Sequence, residues 1–163
     1  MNTPKMIRIQ QHFNTNPIKD IAALVRSELS GIQLAKLIQP GETVAITAGS
    51  RGIANLATVQ AEIVRELKKI GAKPFIIPAM GSHGGATADG QTKILAHYGI
   101  TEENMGVQIK SSMEVVQVGT TEEGINVYID KNAAGADHIV VVNRVKPHTD
   151  FKADIESGLF KMM

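Results

Sequence analysis

The sequence predicts an α/β domain of Rossmann-like, three-layer form, built on a mostly parallel sheet. Three observations point there. Residues 42–47, 75–80 and 137–143 form runs that are largely apolar rather than alternating, the pattern of strands buried on both faces beneath helices. Strand, loop and helix follow one another over residues 43–70 and again over 75–98, the order of a layered α/β unit. All three apolar runs lead into loops rich in Gly, His, Arg or Lys. In parallel α/β sheets, ligands bind beyond the carboxyl ends of the strands.

The elements are justified in chain order. Residues 6–13 alternate Ile7, Ile9 and Gln11 with Arg8, Gln10 and His12 and read as a first strand. Asn16-Pro17 supplies an N-cap and a first-turn proline for a helix carrying Ile21, Leu24, Val25 and Leu29. Ser30-Gly31 interrupts it, and a shorter helical piece over 32–38 ends at Pro40-Gly41. The strand at 42–47 follows. The clearest helix then places Leu56, Val59, Ile63, Leu67 and Ile70 on one face, stopped by Gly71-Ala72-Lys73-Pro74. A strand over 75–80 and a helix over 89–98 come next. Residues 107–109, 115–119 and 125–129 read as short strands, the last two joined by a turn over 120–124. The strand at 137–143 precedes a segment, 154–163, of helical propensity.

The 163 residues make one domain with room for a core. With no cysteine, disulfides, thiolate metal sites and cysteine nucleophiles are excluded. A net charge of +1 and 4% aromatics, with no Trp, give neither the footprint nor the stacking platform of a nucleic-acid binder. No apolar run approaches the 18 or so residues of a membrane span, and no secretory leader is evident at Met1-Asn2-Thr3-Pro4-Lys5. The expected location is the cytoplasm.

Three loops carry candidate chemistry. In Gly49-Ser50-Arg51-Gly52, backbone N–H groups can face an anion, and Arg51 can grip a carboxylate or phosphate with its fork of donors. In Gly81-Ser82-His83-Gly84-Gly85, the glycines allow close approach of a ligand to an imidazole suited to proton transfer. In Asn143-Arg144-Val145-Lys146-Pro147-His148, two cations and a second imidazole bias a pocket toward an anionic substrate. His12, His97 and His138 read as exposed or structural. No His-x-x-x-His spacing marks a metal site in this chain.

Gly81-Ser82-His83, then Lys146-Pro147-His148, then Gly158-Leu159-Phe160-Lys161, resembles the N-terminal domain of the nickel-pincer lactate racemase family. The resemblance runs from about Arg8 to the end. It implies isomerisation of a small-molecule 2-hydroxy acid with nickel held in a thiolated pyridinium mononucleotide, which other enzymes synthesise. The implied chemistry passes the C2 hydrogen to the cofactor as hydride while two histidines alternate as base and acid on the hydroxyl. By resemblance, His83 and His148 are those histidines and Lys161 bears the cofactor. Gly49 and Ser50 contact the cofactor, while Arg51 and Lys146 bind substrate. The family often has an acidic residue three positions before the arginine, where this chain has Ala48. A nickel-binding histidine and a second domain are expected beyond this chain, so residues 1–163 are expected to be the N-terminal portion, inactive alone and prone to self-association through the apolar 159–163 segment. Two readings stand beside this one. The first is a metal-free enzyme on a phosphorylated or carboxylated metabolite, with His83 and His148 as acid and base. The second is a non-catalytic anion-binding module.

Overall fold

A computed structural model describes residues 6–13, 16–50, 52–146, 152–154 and 156. The central sheet has the order β2-β1-β5, with β1 at Thr43–Ala48, β2 at Lys73–Pro78 and β5 at His138–Val140. Both pairings are parallel, Thr43 through Ala48 facing Lys73 through Pro78 on one side and Val44 through Ile46 facing His138 through Val140 on the other. The apolar runs are thus the sheet, with β1 at its centre.

Alternation along these strands divides the core. Val44, Ile46, Ala48 and Ile76 point to one face, where Leu56, Ile63, Val64 and Leu67 of α3 (Leu56–Lys69) meet them. Leu95 of α4 (Ala88–His97) and Met105 of α5 (Glu102–Met105) join that cluster, and Val25 and Leu29 of α1 (Ile21–Gly31) pack at its edge. A one-turn α2, Leu34–Leu37, follows α1. Ala45, Phe75 and Ile77 point to the other face. They are covered by Ala133 of α6 (Lys131–Ala134) and Ile129 of a hairpin, β3 (Val115–Thr120) with β4 (Asn126–Asp130). Among the described residues, the third layer is a hairpin and one helical turn rather than long helices.

Polar groups lock the layers. Glu62 of α3 is buried with its carboxylate between Arg26 of α1 and Arg65, each at 2.9 Å. Hydrogen bonding to Glu62 holds the Arg26 guanidinium above its usual range. Removing Glu62 would break both ion pairs at once.

Several sequence expectations need correction. Residues 6–13 form no strand; Ile7 and Ile9 are more than four-fifths exposed. Among the described residues, their alternation has no neighbouring strand to complete it. The first helix starts at Ile21, not at Asn16-Pro17, because Asp20 caps it by accepting from the Ala23 N–H at 2.8 Å. Residues 107–109 make only a single bridge, Ile76 with Ile109. The Ile109 N–H turns away to the Glu102 carboxylate at 2.8 Å. The last apolar strand is shorter than its run, His138–Val140. Beyond it, the Val142 N–H goes to Thr47 Oγ1 at 2.9 Å instead of to a strand backbone. The second strand begins earlier than Phe75, at Lys73, because Lys73 N donates to Glu42 O at 2.7 Å and so joins the ladder. The helix expected over 154–163 lies largely outside the described residues; Asp154 and Glu156 themselves are not helical. Among the described residues no helix is long and apolar enough to cross a membrane.

Candidate functional site

The three parallel strands end on the same side of the sheet, and the loops that leave them meet. A cavity of about 700 Å³ lies there, within the range of small-molecule sites. The β1 loop contributes Gly49 and Ser50, the β2 loop Gly81, Ser82 and His83, and the segment after β5 Asn143, Arg144 and Lys146. The start of the hairpin closes another wall with Met113, Glu114 and Val115. A smaller cavity of about 490 Å³ lies between Ser50, His83 and the end of α4.

His83 is held from several directions. Its Nδ1 is 2.5 Å from Ser50 Oγ, linking the β1 and β2 loops. Before it, Gly81 O accepts from Nε2 of the buried Gln91 at 2.8 Å. After it, Gly84 O accepts from the Thr87 hydroxyl at 3.0 Å, while Thr87 Oγ1 caps α4 by accepting from Gly90 N at 3.1 Å. Gly84 and Gly90 are pressed together: a Cβ on Gly90 would lie 1.9 Å from Gly84 O. Gly84 thus packs closely against α4 and also lines the smaller cavity. The loop is clamped on both sides of His83.

The β5 loop is tied to the β1 loop by Arg144, whose Nη1 donates to Gly52 O at 2.7 Å. Asn143 lines the cavity, and its buried Nδ2 has no acceptor among the described residues. Buried donors ordinarily have a protein or water partner. The charged residues that line the cavity are Arg144, Lys146, Glu114 and Asp130. Both carboxylates already have partners, Glu114 the Lys131 ammonium at 3.0 Å and Asp130 the Ala133 N–H at 2.9 Å. Among the described residues, no three His, Asp or Glu side chains converge as a metal-binding group.

Of the residues expected at the site, Gly49, Ser50, His83 and Lys146 come together at one cavity. Arg51, His148 and Lys161 lie outside the described residues. His12 and His97 are exposed, and His138 pairs with Glu42 at 2.7 Å at the opposite end of the sheet. Sequence reasoning missed the supporting role of Gln91, Thr87 and Gly90. Thr87, three residues before Gly90, was visible as a helix cap, but the Gly84–Gly90 contact requires the fold.

The donor set suits an anionic ligand carrying a phosphate or carboxylate. Ser50, Ser82, Asn143, Arg144 and Lys146 line the cavity, Asn143 offers an N–H without an acceptor, and an added Cβ at Gly49 would meet nothing within 4 Å. A pincer mononucleotide and a small hydroxy acid are both compatible with that chemistry. The family model of the lactate racemase N-terminal domain matches residues 2–152, nearly the whole chain. Comparison with curated proteins returns no match. With the strand-end cavity and this match together, the chain belongs to the lactate racemase N-terminal domain family.

Proposed function

We propose that this chain is the N-terminal, proton-transfer half of a 2-hydroxy-acid racemase or epimerase that works with a nickel-pincer nucleotide. The observation that carries the reading is the convergence of all three strand-end loops, with His83, Asn143, Arg144 and Lys146, on one cavity.

The residues divide the work as follows. Arg51 and Lys146 bind the substrate carboxylate, which fixes the α-carbon between two faces. His83 takes the hydroxyl proton of one enantiomer, and His148 returns a proton when the other forms. Asn143 Nδ2 donates to an acceptor oxygen of the bound ligands. Lys161 carries the nucleotide covalently. When bound, the nickel-pincer nucleotide supplies an electrophile for the C2 hydrogen, which is not acidic enough to leave as a proton. The clamped loop keeps the His83 imidazole at one place through both half-reactions.

The test is to express the protein in full alongside cofactor-biosynthesis enzymes, then measure intact mass, nickel content and interconversion of lactate enantiomers. The expected result is a mononucleotide-sized adduct at Lys161, bound nickel, and racemisation that falls about 10²- to 10⁴-fold in His83→Ala. A nickel-free, unmodified protein from a host that loads another family member would overturn the reading in favour of a metal-free enzyme or an anion-binding module.

A further inference from the structure

The His83 ring has two nitrogens, and only one can face a substrate. Nδ1 is engaged by Ser50 Oγ at 2.5 Å, across 33 positions of sequence. Ser50 stands just beyond the carboxyl end of β1, the central, buried strand, and His83 stands on a loop fixed by Gln91 and Thr87. Both partners therefore hang from rigid elements. Both also line the large cavity, so the contact sits at the site and not behind it.

We propose that Ser50 is a positioning residue for His83: its hydroxyl accepts the Nδ1–H, so that Nε2 is the nitrogen presented to the substrate hydroxyl. This rests on the reading of His83 as an acid–base group. A base needs its lone pair at Nε2, which puts the ring proton on Nδ1. An imidazolium carries protons on both nitrogens. In each state Nδ1–H donates to Ser50 Oγ, so the hydroxyl need not turn over between the two half-reactions. A serine also differs from a carboxylate in that role. A carboxylate partner favours the imidazolium, whereas a neutral hydroxyl fixes the tautomer without adding charge. The charged groups around the ring are Lys93, with His97, along the smaller cavity, and Arg144, Lys146, Glu114 and Asp130 along the larger one. Lys93 is itself paired with Asp89 at 2.6 Å, as Glu114 is with Lys131 at 3.0 Å. No acidic group among the described residues hydrogen-bonds His83. The resemblance implies a cofactor contact for Ser50; on the present reading its hydroxyl has a role toward the imidazole.

The experiment combines nitrogen NMR of the histidine side chains with kinetics of the loaded protein. In wild type the His83 resonances should report the Nδ1–H tautomer as the dominant neutral form. Ser50→Ala should shift His83 toward a tautomer mixture, leave the other four histidines unmoved, and lower kcat about 10- to 100-fold, the scale of a mis-aimed group, with KM little changed. Ser50→Thr, which keeps the hydroxyl, should restore both readouts. An unaltered His83 tautomer in Ser50→Ala overturns the proposal, as does a rise in KM with kcat intact, which would make Ser50 a ligand contact. Should His83→Ala leave turnover intact, the acid–base reading fails, whereas the tautomer measurement still decides whether Ser50 orients the ring.

Discussion

The two ends of the same sheet are built to opposite rules. At the amino end, polar groups satisfy one another. Asp137 Oδ2 accepts from the Thr43 N–H at 2.8 Å and hydroxyl at 2.7 Å, and Asp137 N donates back to Thr43 Oγ1 at 3.1 Å. Glu42 accepts from the Gln39 N–H at 2.7 Å and pairs with His138 at 2.7 Å. At the carboxyl end, donors gather round a cavity, Asn143 Nδ2 has no acceptor among the described residues, and His83 meets a hydroxyl in place of a carboxylate. The amino end joins β5 to β1. The carboxyl end lines a cavity with polar groups and relies on the rest of the fold to keep them still.

The sharpest way to break this contrast is His83→Ala. The loaded enzyme should lose about 10²- to 10⁴-fold in turnover. The melting temperature of the same protein should move little, because the loop backbone is held by Gln91 and Thr87 and not by the imidazole. Calorimetry and a racemisation assay on one preparation check both halves. A large fall in melting temperature would mean that the carboxyl end also carries stability through this ring.

Gly90→Ala should have the next largest effect and should blur the two ends. The new methyl would collide with Gly84 O, a backbone atom, so the loop or α4 must shift. Overpacking of this kind costs about 1 to 3 kcal/mol. Chemical denaturation should register that loss, and turnover should fall as well because His83 moves with Gly84. Retained stability together with retained turnover would show that the loop is not clamped as described.

Much of this architecture is legible in the sequence, for reasons that particular residues make plain. Leu56, Ile63 and Leu67 mark α3 by spacing alone, and they are buried where spacing puts them. Val44 through Ala48 and Phe75 through Ile77 mark strands buried on both faces, and the parallel sheet follows. Position beyond those strands picks out Ser50, His83 and Lys146 as neighbours before any contact is known. What the sequence hides is pairing across distance. Alternation in residues 6–13 carries no information about whether a partner strand exists, and among the described residues none pairs with them. The Ser50–His83 bond joins positions whose proximity comes only from the β1–β2 register. The short helices α5 and α6 are too brief for periodicity; their local signs are the caps Thr101 and Asp130 and, for α5, the left-handed Gly106 that ends it.

The smallest effect belongs to the amino end and sharpens the comparison through pH. The Thr43 backbone N–H, and then its hydroxyl, hold the Asp137 carboxyl below its ordinary range. The Gln39 N–H, and then His138, do the same for Glu42. A carboxyl lowered on folding contributes stability that is complete above its unfolded pKa, about 4, and fades as pH falls through the folded value. The contribution of these two carboxyls should therefore be flat from neutrality down to about pH 5 and decline below about pH 4. Asp137→Asn keeps the size of the side chain but removes the charge that Thr43 favours. Its stability should be lower near neutrality and depend less on pH in the acid range, so the two proteins converge at low pH. Denaturation midpoints between about pH 2 and 7 would show this. Parallel curves would mean that the amino end is held by the shape of its hydrogen bonds alone, and that charge there contributes no more than it does at the carboxyl end.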